Sequence, residues 1–130
     1  MKLVNPTDDE LNAAFAVSVC GRTHVPALTD PENPHYGYRE HWEKAGEELW
    51  FRDNQDRGTQ MPNFVASADA VLPWLEKSVT AVRRSLETGK QWEVMAWGDD
   101  MVTQYWFDDS LPRAAVIALL RAHGVELIFQ

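Results

Sequence analysis

Phe64-Val65-Ala66-Ser67-Ala68-Asp69-Ala70-Val71-Leu72-Pro73-Trp74-Leu75-Glu76 is the stretch on which the fold turns. Ser67 is a helix-capping residue type, and Asp69 falls in the first turn, where the positive end of the helix dipole favours an acid. Val71, Leu72 and Leu75 lie at helical spacing, and Val79, Val82 and Leu86 continue the stripe. The pattern predicts a core helix from Ser67 to Thr88-Gly89, with Glu76, Lys77, Arg83, Arg84 and Glu87 on its solvent side. Pro73 falls inside it, removes one backbone hydrogen bond and bends the helix near its start.

Downstream, the pattern is regular. Gln91–Trp97 alternates, with Trp92, Val94 and Ala96 on one side and Glu93, Met95 and Trp97 on the other. Gly98-Asp99-Asp100 reads as a tight turn into a second strand, Met101–Phe107, whose Met101, Thr103, Tyr105 and Phe107 share a face. That hairpin sets Trp97 beside Met101 and Trp92 near Trp106 or Phe107. Ser110 then caps a third helix, with Pro112 in its tolerant first turn and Ala114–Ala122 apolar nearly all round. Gly124 suits its left-handed stop, and Val125–Phe129 alternates as a final strand.

Upstream, Met1–Pro6 reads as a short leader. Thr7-Asp8-Asp9-Glu10 forms a capping box ahead of Leu11, Ala14, Phe15 and Ser18, which predicts a helix to about Val19, with Gly21 as its stop. Pro26, Pro31 and Pro34 keep 24–37 irregular. Tyr38, Trp42 and Ala45 share a helical face, so Tyr38–Glu48 reads as a short helix. A strand over Leu49–Arg52 and a turn over 53–58 follow. The expected class is α+β, a layered helix–sheet–helix sandwich with a small, mainly antiparallel sheet.

A chain of 130 residues is enough for one domain with its own core, and one domain over 1–130 is expected, with 22–62 as an aromatic- and proline-rich loop region. A net charge of −8 repels phosphate backbones and anionic lipid, so neither nucleic acid nor membrane is an expected partner. Lys77, Arg83, Arg84 and Lys90 form the one basic run worth naming, and they read as a solvated helix face. A single cysteine, Cys20, allows no internal disulfide and fits a reducing compartment. No signal peptide or membrane-length apolar run is read, so a cytoplasmic location in a bacterial or phage-infected cell is expected.

The capped first helix ending Ser18-Val19-Cys20-Gly21, the Met61-Pro62-Asn63-Phe64 lead-in and the Ser67–Leu75 helix form a recognisable series. The tryptophan-bearing hairpin and the closing Pro112-Arg113-Ala114-Ala115-Val116-Ile117-Ala118-Leu119-Leu120 complete it. Together they resemble the phage ABA sandwich domain family, small proteins of phages and prophage-bearing bacteria. The likeness covers about two thirds of the chain, in blocks of core helix. It implies the layered fold and a phage or prophage setting, and it carries over no catalytic or ligand residues. The chain departs from the family pattern at Cys20-Gly21-Arg22, where relatives have Met-Gly-Trp, and in an enlarged 22–62 loop.

The chemistry-bearing residues are sparse. Histidines 24, 35, 41 and 123 match no compact metal-ligand spacing, and structural or surface roles account for them. Asp99, Asp100, Asp108 and Asp109 bracket a strand about 23 Å long, so the pairs cannot share an ion, and turn and cap duty explains each. Cys20 at a helix C-terminus has its thiolate disfavoured and reads as an inert buried thiol. No nucleophile elbow, phosphate-cradling loop, dinucleotide fingerprint or zinc-protease motif is present. No cofactor, metal or catalytic residue is therefore assigned.

The aromatic residues remain. Core packing accounts for most of them, and an exposed remainder would make an interaction surface or ligand groove. The expected contact set is Trp42, Trp50, Phe51, Tyr36 and Tyr38 in the 24–62 region. The leading expectation is a non-enzymatic accessory protein of phage or prophage origin, acting on a protein partner or by self-association. The alternative is a small metal-dependent or ligand-binding enzyme using the loop histidines and carboxylates.

Overall fold

Helix α1 (Asp8–Ser18) begins at the capping box: Thr7 Oγ1 accepts from the Glu10 amide at 3.2 Å, and Glu10 Oε1 accepts from the Thr7 amide at 3.1 Å. The computed structural model describes residues 1–130 apart from 33–38, 53–58 and 86–88. The chain divides into two units, Met1–Cys20 with Pro62–Gln130, and Gly21–Met61. The bounds of the second nearly match the 22–62 region that composition sets apart.

In the first unit, α1 buries Leu11, Ala14 and Phe15 of its predicted stripe and leaves Ser18 half-buried. Asn12 is also buried. Its Nδ2 donates to Asn63 Oδ1 at 2.9 Å, and its Oδ1 accepts from the Val65 amide at 3.0 Å. Those bonds pin the lead-in so that Phe64 packs on Phe15, ring centroids 4.6 Å apart. Burying each ring contributes about 1.5–3 kcal/mol, more than the net worth of either hydrogen bond. The bonds therefore set position, and the rings supply most of the stability.

Helix α2 (Ala68–Lys77) starts as predicted, with Ser67 Oγ accepting from the Ala70 amide at 3.2 Å and Pro73 inside it. Its end differs from the reading. The helix closes at Lys77, where the Ser78 amide and the Thr80 hydroxyl both donate to the Leu75 carbonyl. Val79–Arg84 is a strand, which follows β1 (Lys2–Val4), β2 (Thr23–Val25), β3 (His41–Glu43), β4 (Trp50–Phe51) and β5 (Thr59–Gln60) and is therefore β6. The β-branched Val79, Thr80 and Val82 favour extended backbone, and β7 (Trp92–Trp97) offers all six residues of β6 an antiparallel partner. Arg83 and Arg84 thus lie on a strand, not on a helix face. Of the predicted stripe, Val71 is buried and Leu75 half-buried, while Leu72, Val79 and Val82 are exposed. Leu86 lies outside the described residues.

Strand β8 (Thr103–Asp108) pairs with β7 from Trp97↔Thr103 to Trp92↔Asp108. The connection is Gly98–Val102, longer than the predicted turn, with Met101 at φ +59 and its amide donating to the Gly98 carbonyl. The register therefore shifts by two residues from the expected one: Trp97 meets Thr103 in place of Met101, and Trp92 meets Asp108 in place of Trp106 or Phe107. An even shift leaves each side chain on its predicted face.

Helix α3 (Leu111–Ala122) is capped by Ser110, whose Oγ accepts from the Arg113 amide at 3.4 Å. Ala114–Leu120 are wholly buried: β7 and β8 pack on this helix, and so do α1 and α2. The layers stack through α3, which is why its sequence is apolar on every side. Strand β9 (Glu126–Ile128) pairs in parallel with β1, so the leader forms part of a sheet. The class is α+β, and the three-stranded sheet β6–β7–β8 is antiparallel throughout.

In the second unit the strand order is β2-β3-β4-β5, antiparallel except for β4–β5. The helix predicted over 38–48 is replaced by β3 at His41–Glu43. Trp42 is held there between His24 and Trp50 as cross-strand neighbours, and these non-local pairings outweigh the local helical spacing. Strand β2 occupies the start of the stretch predicted to be irregular, and β4 falls within the predicted 49–52 strand. The 53–58 turn lies outside the described residues. Among the described residues no helix is long and apolar enough to cross a membrane.

Candidate interaction surface

In the second unit, strand alternation separates two faces. One carries Arg22, His24, Trp42, Trp50 and Arg52, and here cations and rings interleave. The Arg22 guanidinium lies 3.5 Å from the Trp50 ring centroid. It donates to the Trp42 carbonyl at 3.2 Å, the Glu48 carbonyl at 2.6 Å and Glu47 Oε2 at 2.9 Å. His24 stacks on Trp42 at 4.9 Å, and Arg52 stands 5.3 Å from the same ring. Glu40 joins His24 at 3.0 Å and Arg52 at 2.7 Å. The Arg52 bond holds Glu40 below the usual carboxylate range, with His24 adding to the effect and burial opposing it.

These contacts decide the fate of the expected contact set. Trp42 is 1% exposed, so it belongs to the interior and is withdrawn from any contact surface. Its indole N–H has no hydrogen-bond partner among the described residues. Trp50 and Phe51 are half-buried, Trp50 under Arg22 and Phe51 beneath Arg39 at 4.7 Å. Tyr36 and Tyr38 lie outside the described residues. No local signal points to Arg22, a buried arginine in a stretch read as loop, because its bonds all reach at least twenty residues along the chain.

The histidines do not converge. His24 pairs with Glu40. His41, which opposes Val25 in register and lies on the other face, holds the Arg39 carbonyl at 2.8 Å and approaches Glu43 at 3.5 Å. His123 Nδ1 bonds the Leu119 carbonyl at the end of α3, and His35 is outside the described residues. Among the described residues no three His, Cys, Asp or Glu side chains gather as metal ligands. Asp100 accepts from the Val102 amide and Asp108 from the Ser110 amide, which are local turn bonds, while Asp108 also holds Trp106 Nε1 and Arg113 and Asp109 accepts from the distant Gln91 amide.

The first unit exposes something else. On β6–β7–β8, alternation sends Thr80, Val94, Ala96 and Trp106 toward α3, where Trp106 meets Arg121 and Phe129. The opposite face is a grid in three rows: Val79, Trp97 and Thr103; Ala81, Met95 and Tyr105; Arg83, Glu93 and Phe107. Val79 is 69% exposed and Tyr105 54%, while Trp97, Met95 and Phe107 are half-buried. Tyr105 and Phe107 meet edge to face at 5.6 Å, and Trp97 donates to Thr103 Oγ1 at 2.7 Å. Glu93, the acid on the central strand, is buried and bridged by Arg83. The β7 and β8 part of this grid was legible from alternation. Val79, Ala81 and Arg83 were not, because that segment reads as helix.

Fold and surface together define an α+β protein whose three-stranded sheet has one face on α3 and a second, largely apolar face that is partly exposed. No protein-family model matches the chain, and no curated protein sequence matches it. Its fold is similar to that of a phage protein from Bacillus cereus ATCC 14579, known from a 2.0 Å crystal structure. The TM-score is 0.61 over 94% of this chain and 92% of that one, at 13% identity. At that identity the likeness concerns the fold.

Proposed function

We propose that this chain is a phage-type accessory protein of the phage ABA sandwich kind, working in the cytoplasm without catalysis by holding a protein partner or a second copy of itself. The contact is made by the sheet face opposite α3. The observation that carries the reading is the exposure of Val79 and Tyr105 beside Trp97, Met95 and Phe107, on a face whose charges, Arg83 and Glu93, are paired with each other. Large apolar groups clustered on one face mark contact sites, whereas scattered ones need no explanation. Trp42, Trp50 and Phe51 of the second unit are already occupied by Arg22, Arg39, Arg52 and His24, which leaves them less to offer a partner. The fold shared with a phage protein supports the phage setting.

The test is site-specific photo-crosslinking in cells that express the chain. A photoreactive phenylalanine at Tyr105 is expected to trap one defined protein, or a second copy, while the same group at the exposed Glu76 on α2 traps none. Equal yields at both positions would remove the reading. Sizing over a range of concentrations separates a partner from self-association.

A further inference from the structure

The dimensions of the sheet face opposite α3 limit what can cover it. Each of its three strands is six residues long. With strands about 4.8 Å apart and residues about 3.3 Å along, the face is roughly 10 Å between its outer strands and roughly 20 Å in length. That footprint, roughly 200–300 Å² laid flat, is well below the roughly 800 Å² per partner that a stable dimer buries. Two copies meeting face to face therefore fall short of a stable dimer, and each carries a net charge of −8 into the encounter.

The opposite face shows what such a footprint accommodates. There a single helix, α3, packs on both β7 and β8. A helix is about 10–12 Å across, and the twelve residues of α3 run about 18 Å, which are the proportions of the face itself. The relief suits a helix as well. Strand β6 contributes the short Val79 and Ala81, opposed in register by the larger Trp97 and Met95 of β7. A step therefore runs lengthwise between the two strands, and a ridge of helix side chains four residues apart lies along a step of this kind. Arg83 and Glu93 close one end of it by pairing with each other, so the face asks no charge of its occupant.

We propose, on the binding reading above, that this face receives one amphipathic helix of a partner protein, about three turns long, whose apolar stripe lies on Val79, Met95 and Tyr105. The helix covers the sheet on this side as α3 covers β7 and β8 on the other, and burial of the exposed Val79 and Tyr105 supplies the affinity.

The probes are three peptides of about eighteen residues, long enough to form a helix, with one shared composition of leucine, alanine and lysine. In the first the leucines recur at helical spacing, in the second they alternate as in a strand, and in the third they are scrambled. Binding to the whole chain is read by fluorescence anisotropy and mapped by amide chemical shifts. The helical-stripe peptide should bind about tenfold more tightly than either of the others, gain helical circular dichroism on binding, and shift residues 79–83, 93–97 and 103–107 most. Val79→Ser should weaken it about tenfold, the worth of one buried valine side chain. Leu72→Ser, at another exposed apolar residue but on α2, should leave binding unchanged. Equal or tighter binding of the alternating peptide, shifts centred elsewhere, indifference to Val79→Ser, or no binding by any peptide would each overturn the helix proposal. Crosslinking at Tyr105 decides the face reading separately. If it traps a protein while the stripe peptide fails, the face stands and the helix falls; if it traps only a second copy, the helix proposal falls on that result alone.

Discussion

Gly98 opens the β7–β8 connection, and its need for glycine is a matter of space. A Cβ built there would lie 2.1 Å from the Ala122 carbonyl oxygen, whereas real Cβ atoms keep beyond 3.0 Å. Gly98→Ala therefore forces the connection and the end of α3 apart by roughly 0.9 Å, and neither side is a flexible side chain. Most residues of α3 are wholly buried, so the helix has little room to give. Overpacking of this kind costs about 3 kcal/mol at its usual upper end. For a chain of this length that lowers Tm by about 10 °C. Gly124→Ala is the comparison. Nothing lies within 4 Å of that position, and its cost arises from φ +87, about 1 kcal/mol. Thermal and urea unfolding of both variants would measure the difference. If Gly98→Ala is no more destabilising than Gly124→Ala, the close approach of the connection to α3 is wrong.

Three further outcomes are expected. Arg22→Met leaves the Trp42 and Glu48 carbonyls without their donor and uncovers Trp50, and should cost about 3 kcal/mol in urea unfolding followed by tryptophan fluorescence; Arg22→Lys should recover less than half, lacking the planar fork. A loss below about 0.5 kcal/mol, the range of ordinary surface changes, would refute the role. Glu40 has its folded pKa lowered by Arg52, so its contribution is present above the ordinary carboxylate pKa and is lost as pH falls through the lower folded value. Glu40→Gln should therefore lose stability at neutral pH and show a flatter acid limb; an unchanged acid limb would contradict the pairing. We also propose that the chain unfolds as one domain, because Gly21–Met61 is inserted within the chain of the first unit and has both ends held by it. Far-ultraviolet circular dichroism and tryptophan fluorescence should then give one coincident transition, whereas two separated transitions would make the units independent.

What the sequence showed of this fold was what local chemistry decides. The Thr7 and Ser110 caps, the all-round apolar Ala114–Leu120 and the alternation of Trp92–Trp97 each report on their own segment, and each matches the structure. The failures share a cause. Val79 and Val82 fit a helical stripe and a strand face equally well, and the choice lay with a partner strand beginning thirteen residues further on. Tyr38, Trp42 and Ala45 have helical spacing, but Trp42 is fixed by His24 and Trp50 on either side of it. The same limit governed the candidate site. Trp42 looked available because nothing near it in sequence covers it, and the β6 third of the open grid was concealed inside a predicted helix.

The central claim is that the sheet face opposite α3 is covered by a protein in the cell. Cysteine placed at Val79 and, as a reference, at Glu76 measures this directly through maleimide labelling, since the native Cys20 is buried. In dilute purified protein both positions should label at similar rates. In intact cells the Val79 position should be protected several-fold while the Glu76 position is not. Equal labelling of the two in cells would mean the face stays bare, and the account of this protein as a sheet-face binder would fail.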